Sequence, residues 1–217
     1  MKLIQRLLEN DKTYSSELGI DVAENPFKWF LVSVLFGARI SEDIASRTFK
    51  EFEKAEVTTP EEILKTSRDR LIEILDSGGY VRYDFKTAEK LLEMSKNLKE
   101  RYGKIERLKD DPKIEEKLMG LAKGIGEVTI NIFLREMRGV WNVEPELSKY
   151  VIQASKNLGL IEEEGNALEE LKKIFKENKV ENFDFRNFEV ALLRLSKNFC
   201  RKKRCSKCRV SKLCKSS

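Results

Sequence analysis

The sequence contains no histidine, and its four cysteines all lie between residues 200 and 214. Without histidine the chain lacks the usual general base near neutral pH, and it has no histidine-ligated metal. No stretch approaches the roughly 20 apolar residues that a membrane-spanning helix needs. The N-terminal residues also lack the continuous apolar core of a signal peptide. We therefore expect a cytoplasmic protein.

No segment shows the period-two alternation of a half-buried strand, and most glycines and prolines fall at predicted helix ends. The sequence therefore predicts an all-α fold. Charged residues make up 36% of the chain, and glutamine occurs only as Gln5 and Gln153. This Lys- and Glu-rich composition is typical of thermophile proteins, and we expect a thermophilic prokaryotic source.

Helix boundaries are marked by N-cap residues. Pro26 opens an apolar helix that we expect at the centre of the core. Ser41 and Ser67 are predicted N-caps, and residues 59–62 (TPEE) form a predicted capping box. Residues up to Asn25 are expected to be a polar connection after the first helix. Further helices are predicted at 2–9, 84–101, 147–158, 166–177 and 184–199.

Residues 118–150 are interpreted as the central stretch of the chain. A helix end, a tight turn over residues 123–126 (KGIG) and an apolar second helix precede a loop with two glutamates. Gly124 and Gly126 permit unusual backbone angles and close approach by a ligand. The amides at the start of the second helix suit a phosphate, and Lys123 adds positive charge. The alternative is an ordinary turn between two helices with a glycine cap.

The C-terminal tail carries the positive charge of the chain. The net charge is +5, with 42 basic and 37 acidic residues. Residues 200–217 hold eight basic and no acidic residues, which leaves 34 basic against 37 acidic, or −3, for residues 1–199. Such a block is either a solvated end or a nucleic-acid contact, and the cysteines within it argue against disorder.

The cysteines follow the spacing C-x4-C-x2-C-x5-C, at Cys200, Cys205, Cys208 and Cys214. Four thiols within fifteen residues of a chain expected in the cytoplasm favour a metal over two disulfides. Zinc and an iron–sulfur cluster both accept four thiolates. The single C-x2-C pair favours a cluster over zinc.

Together these elements resemble a known family. Residues 26–217 are similar to the helix-hairpin-helix (HhH-GPD) DNA glycosylases of the endonuclease III type, which carry a C-terminal 4Fe–4S cluster. The apolar helix followed by residues 37–41 (GARIS) resembles the first barrel helix and turn of that family. Gly79-Tyr80, which precedes the helix containing residues 86–89 (KTAE), resembles the next recognisable sequence feature of that family. Residues 124–129 (GIGEVT) resemble its hairpin. The cysteine loop has four residues in its first gap where the family usually has six.

The resemblance implies a two-lobed all-α fold. A six-helix barrel would span residues 25–140, with the helix-hairpin-helix at about 111–138. Residues 1–24 and 141–217 would form a second helical lobe with the cluster loop at 200–214. The implied partner is double-stranded DNA with a damaged or mismatched base, bound by a monomer at the nucleoid. The implied cofactor is a 4Fe–4S cluster, with zinc as the alternative, and a monovalent cation is also implied at the hairpin.

The same resemblance assigns DNA contacts and base-pocket candidates. Arg39 is either a side chain that fills the gap left by an extruded nucleotide or a surface arginine. Tyr80 and Trp141 are base-pocket candidates, with Trp29, Tyr83 and Tyr150 as other aromatics that could stack on a base. Aromatics at such spacings are more often core residues, so we expect about one of the five in the pocket. The hairpin residues expected to contact DNA are Lys123, Gly124, Gly126, Val128 and Thr129.

The departures from the family pattern concern catalysis. Val128 stands where bifunctional members have a lysine nucleophile, so a monofunctional glycosylase is implied. The family aspartate is absent, and Glu144 is the candidate carboxylate, with Glu146 as the alternative. A protein that senses lesions without efficient catalysis is the other function considered. Lyase chemistry by another amine, Lys123 or Lys149, is a third. The sequence does not identify the base.

Overall fold

The computed structural model describes residues 2–9, 11–178 and 180–215, and throughout these ranges the regular structure is helical, without β-strands. The all-α prediction is therefore confirmed. No helix among these residues is long and apolar enough to cross a membrane. The α-helices are α1 Lys2–Leu8, α2 Tyr14–Glu17, α3 Pro26–Phe36, α4 Glu42–Lys54, α5 Pro60–Lys65, α6 Arg68–Ser77, α7 Asp84–Arg101, α8 Ile114–Met119, α9 Glu127–Met137, α10 Lys149–Leu158, α11 Ala167–Glu177 and α12 Phe185–Leu195.

The N-caps form as the sequence predicts. The Ser41 hydroxyl accepts a hydrogen bond from the Ile44 amide at 3.2 Å. Thr59 and Glu62 form the capping box, and the Glu62 carboxylate also accepts from the Thr58 amide at 2.8 Å. Ser67 caps α6 in the same way. Each cap satisfies amides that the first turn of a helix leaves without a partner.

Three predicted boundaries are corrected by the structure. The predicted polar connection up to Asn25 contains α2, where Tyr14 is buried and packs under the Arg194 guanidinium at 4.2 Å. The first hairpin helix begins at Ile114, because the Asp111 side chain first accepts from the Lys113 amide. The last predicted helix ends at Leu195 and continues as a π-helical turn, Ser196–Cys200.

The chain divides into two compact units, residues 18–144 and residues 1–17 with 145–217. In the unit 18–144, α3 is a central core helix as predicted, and Trp29, Phe30 and Leu31 are fully buried. The Trp29 indole donates to the Phe133 carbonyl of α9 at 3.1 Å, and the Phe30 and Phe133 rings meet edge to face at 5.0 Å. These contacts fix the hairpin helix α9 on the core.

In the unit of residues 1–17 and 145–217, α12 packs against α1, α10 and α11. The C-terminal tail is tied to this unit by Arg209. Its guanidinium donates to the Leu7 and Glu9 carbonyls at 2.7 and 2.9 Å and pairs with Asp11. Burial lowers the pKa of Arg209. The barrel predicted at 25–140 and the cluster lobe predicted at 1–24 and 141–217 remain predictions.

Candidate functional site

The hairpin turn lies between α8 and α9. Gly124 takes a positive φ of +87°, which favours glycine, whereas Gly126 is extended and has no heavy atom within 4 Å of where a Cβ would stand. Gly126 is the N-cap of α9 and has no side-chain cap. The first amides of α9 therefore face outward without a side-chain acceptor, which suits an anion.

Helix α7 supports this turn through one polar stripe. The Glu93 carboxylate accepts from the Lys123 amide at 3.1 Å. Asn97 donates to the Leu121 carbonyl at 2.8 Å, and Arg101 donates to the Gly120 carbonyl at 3.1 Å. Positions 93, 97 and 101 follow the spacing of one helix face. This support was not predicted, although the polar stripe at helical spacing was visible in the sequence.

The second hairpin helix is less enclosed than its apolar sequence predicts. Val128 is 66% exposed, while Thr129 is buried. Val128 lines a cavity of about 520 Å³ with Gly37, Met119, Gly124, Gly126, Glu127 and Thr129. The hairpin therefore presents an apolar side chain at the position where the family resemblance places a lysine.

The turn after α3 lies directly against the hairpin helix. A Cβ placed on Gly37 would stand 2.1 Å from Thr129 Oγ1 and 3.2 Å from Thr129 Cβ, so glycine is required here for space. Gly37 has a helical φ of −69°, so its backbone angle is open to any residue. The close approach brings exposed Arg39 to the rim of a cavity that also includes Lys123.

We expect Gly37→Ala to lower the free energy of unfolding by about 1–3 kcal/mol, the usual cost of overpacking. Adding Thr129→Ala removes Oγ1, the atom nearest to the new methyl group, and should recover at least half of that loss. Urea unfolding of wild type, both single variants and the double variant measures this coupling. If the losses of unfolding free energy in the two single variants simply add up in the double variant, the contact between residues 37 and 129 is contradicted.

The candidate catalytic carboxylate, Glu144, is held by a buried arginine. Its Oε2 accepts from Arg138 Nη1 at 2.7 Å, and the Arg138 side chain is only 4% exposed against 56% for Glu144. Trp141 and Val143 are buried on the connection between them. The carboxylate is therefore held in place yet open to solvent. Arg138 was not predicted, and its spacing from Glu144 gives no regular sequence signal.

Glu146, the alternative carboxylate, is exposed and lies in the other compact unit, two residues before the α10 N-cap Ser148. Ser148 accepts from the Val151 amide at 3.4 Å, so it already provides the side-chain cap of α10. Glu144 is preferred because a buried guanidinium holds it in the same compact unit as the hairpin.

The two named base-pocket candidates are core residues in this structure. Tyr80 is 1% exposed, and its hydroxyl donates to the Leu35 carbonyl at 3.0 Å. Burial raises the pKa of Tyr80 to about 12. Trp141 is 7% exposed and packs edge to face on Phe133 at 5.4 Å. In this structure neither ring has an exposed face on which a base could stack.

Tyr150 is surrounded by cations within its own unit. The Arg201 guanidinium lies 5.0 Å from its ring centroid and donates to its hydroxyl at 3.1 Å. Lys149 and Lys197 each place Nζ 5.7 Å from the same ring. Such a cluster concentrates positive charge next to the cysteine tail.

The four cysteines form no disulfide and line one cavity of about 270 Å³. Burial raises the pKa of Cys200 and of Cys208, and the neighbouring thiols add to both effects, so all four lie within electrostatic range. Cys214 Sγ donates to the Asn157 carbonyl at 3.2 Å. Among the described residues, however, no three Cys, Asp, Glu or His side chains converge closely enough to hold a metal ion as they stand.

The all-α fold has a counterpart among solved structures. The chain is similar over 99% of its length to 94% of the solved structure of a thermostable thymine-DNA glycosylase, with a TM-score of 0.61 and 20% sequence identity. At this level of identity the likeness establishes the fold. Neither the models of known protein families nor the curated protein sequences give a match.

Proposed function

We propose that this protein is a base-excision DNA glycosylase that hydrolyses the N-glycosidic bond of a damaged or mismatched base. The observation that carries the proposal is the exposed Glu144 carboxylate fixed by buried Arg138, in the same compact unit as the hairpin. The shared fold with a thymine-DNA glycosylase supports it. We propose that the protein acts as a monomer on double-stranded DNA.

In the proposed reaction the target nucleotide leaves the base stack, which costs a few kcal/mol. As the glycosidic bond breaks, positive charge develops on the deoxyribose. The Glu144 carboxylate stabilises that charge and orients the attacking water. The contact with Arg138 limits the motion of the carboxylate, and misplacement of a catalytic group by about 1 Å can cost a hundredfold in rate.

DNA binding is assigned to the hairpin and to the basic tail. The outward-facing amides of α9 and the exposed Lys123 would hold phosphates of the DNA backbone. Arg39 at the neighbouring turn would fill the space of the extruded nucleotide. The cations around Tyr150 and along the tail would add phosphate contacts that carry no sequence information.

The hairpin itself offers no amine for strand cleavage. Val128 has no nucleophilic atom, and its side chain is exposed at the mouth of the hairpin cavity. Base release would therefore proceed by attack of water, without the hairpin-lysine route to a nicked strand.

We propose that the four cysteines hold a 4Fe–4S cluster. The donor set fits this group, because four thiols line one cavity. Zinc would require four sulfurs at about 2.3 Å from one ion. The single C-x2-C pair in the spacing supports the cluster, and zinc remains the alternative. When bound, the cluster would cross-link the tail to itself between Cys200 and Cys214.

A second candidate is a lesion sensor with little catalysis. The observation that favours it is the same Arg138–Glu144 pair, because a carboxylate that is already bound to a guanidinium is a weaker partner for an attacking water. The two candidates share DNA binding and differ in base release.

Base release from a panel of duplex oligonucleotides tests the proposal. The panel contains uracil, hypoxanthine, oxidised and alkylated purines, oxidised pyrimidines and T·G and A·G mismatches, each treated with and without hot alkali. A glycosylase of the proposed kind gives strand cleavage after alkali for one of these bases. If no oligonucleotide of the panel loses its base while the protein still binds DNA, the lesion sensor is the correct function.

A further inference from the structure

The middle of the cysteine tail is fastened to the N-terminal segment of the chain, and the proposed base-release reaction does not use this contact. Arg209 lies between Cys208 and Val210 in the sequence. Its guanidinium reaches the end of α1 and the residues that follow it, all within one compact unit. The contact therefore joins the two ends of the chain.

The Arg209 guanidinium makes three contacts with this segment. Nη2 donates to the Leu7 carbonyl at 2.7 Å, and Nη1 donates to the Glu9 carbonyl at 2.9 Å. Nη2 also pairs with the Asp11 carboxylate, whose side chain is only 9% exposed. A planar guanidinium presents its donors in a fixed fork, so several acceptors hold the arginine in one orientation. A buried carboxylate also requires a charged partner, which opposes release of the arginine.

The N-terminal side of this contact is itself fixed on α12. Arg194 of α12 pairs with Asp11 at 3.4 Å and with Glu17 at 2.6 Å, and it donates to the Lys12 carbonyl at 3.1 Å. Asn187 of the same helix donates to the Asp11 carbonyl at 3.3 Å. The segment that accepts from Arg209 is therefore fastened to a helix of the core rather than to a loose chain end.

The residues on either side of Arg209 belong to the thiol cavity. Val210 is fully buried and lines the cavity together with Cys208. Cys208 is half-buried, whereas Cys205 is exposed, as are all residues from 201 to 207. Arg209 is therefore the point at which the middle of the tail is held.

We propose that Arg209 is a positioning residue that retains the metal group at the four cysteines. Its acceptors on Leu7, Glu9 and Asp11 form a clasp that keeps Cys208 in place. When a metal–thiolate bond opens, it re-forms before the metal leaves only if the sulfur stays nearby. Residues that orient metal ligands from outside typically contribute about 10–100-fold to metal affinity. The clasp slows loss of the metal and shields Cys208 from reagents.

This inference rests on the proposed function only in taking a metal group at the four cysteines. It requires neither DNA nor base release. It applies to a 4Fe–4S cluster and to zinc alike, because thiolates bind both. Metal analysis of the purified protein distinguishes the two.

Loss of metal to a chelator tests the proposal. The full-length protein is mixed with excess EDTA, and the iron or zinc that stays with the protein is measured over time. Arg209→Gln should lose metal about tenfold faster or more, the usual size of such outer contacts. Arg209→Lys should lose it about threefold faster or more, because an ammonium group lacks the guanidinium fork. Equal rates in wild type and Arg209→Gln would overturn the proposal, as would a protein that holds neither iron nor zinc after addition of either.

Arg204→Gln is the matched control, because Arg204 is exposed in the same tail and the same charge is lost. Its rate of metal loss should stay within about twofold of wild type. An acceleration as large as that of Arg209→Gln would assign the effect to the net charge of the tail and would overturn the clasp.

Thiol labelling gives a second measurement that uses wild-type protein alone. In metal-free wild type, iodoacetamide should modify exposed Cys205 about tenfold faster or more than Cys208, with the two sites resolved by peptide mass spectrometry. Equal rates at the two sites would overturn the clasp even if every Arg209 variant fails to fold.

The same labelling on Arg209→Gln separates a local effect from a general loss of structure. The rate at Cys208 should approach the rate at Cys205, while Cys200, on the π-helical turn after α12, should keep its wild-type rate. An increase at Cys200 as large as that at Cys208 would show general unfolding and would overturn the positioning role.

The outcomes also separate this proposal from the glycosylase. Faster metal loss from Arg209→Gln, in a protein that releases no base from the panel, would support the clasp and remove the glycosylase. Base release together with equal metal loss from wild type and Arg209→Gln would retain the glycosylase and remove the clasp.

Discussion

Glu144→Gln should lower the rate of base release by about a hundredfold or more, while the Kd for DNA changes by less than threefold. The glutamine removes the negative charge that stabilises the developing positive charge on the sugar, a type of loss that costs about 10²–10³ in rate. In the wild type, Arg138 Nη1 lies 2.7 Å from the Glu144 carboxylate, and the amide oxygen of the glutamine can still accept a hydrogen bond from it. Single-turnover base release and fluorescence anisotropy measure the two quantities.

Glu146→Gln is the control for this variant, because it makes the same change two residues along the chain. Its base-release rate should remain close to wild type. If Glu144→Gln turns over normally and Glu146→Gln does not, the catalytic role belongs to Glu146. A loss of thermal stability in Glu144→Gln would instead point to a structural role for the pair with Arg138.

A protein that holds the proposed 4Fe–4S cluster should be brown when purified. Cys205→Ser should remove this colour and weaken DNA binding about tenfold or more. With one of four ligands gone the proposed cluster is lost, and metal binding is coupled to local folding. The tail would then no longer hold its cations in fixed positions, which lowers the number of phosphate contacts and the salt dependence of binding. Iron and sulfide analysis, absorbance and anisotropy at several salt concentrations measure these effects.

Ser206→Ala is the matched control for the cysteine change, since it alters the next residue without removing a thiol. It should keep the colour and the affinity of wild type. A colourless wild-type protein that contains one zinc per chain would contradict the cluster and select the zinc alternative.

Much of the fold was predictable because local signals and global packing agree. The capping box at Thr59 and Glu62, the N-caps Ser41 and Ser67, and the apolar helix after Pro26 all form as predicted. Such agreement between local preference and tertiary structure is what a well-determined fold shows. The short helix α2 was missed because contacts with distant residues stabilise it, including Arg194 on Tyr14 and Glu17.

The candidate site was predictable only in part. The sequence pattern places the hairpin, but it does not show that Glu144 pairs with Arg138 or that Gly37 touches Thr129. These contacts depend on turns and helix crossings that have no fixed sequence spacing. Aromatic spacing does not show burial either, and in this structure Tyr80 and Trp141 are both buried in the core.

Mass balance on the most reactive oligonucleotide of the panel tests the central claim most directly. Excess protein is incubated with the intact duplex, and mass spectrometry measures both the free base and the remaining strand. We predict equal amounts of free base and of a full-length strand that has lost the base and gained one water-derived hydroxyl, with Glu144→Gln inactive. An unchanged strand mass for every base in the panel, while anisotropy shows bound DNA, would contradict the account.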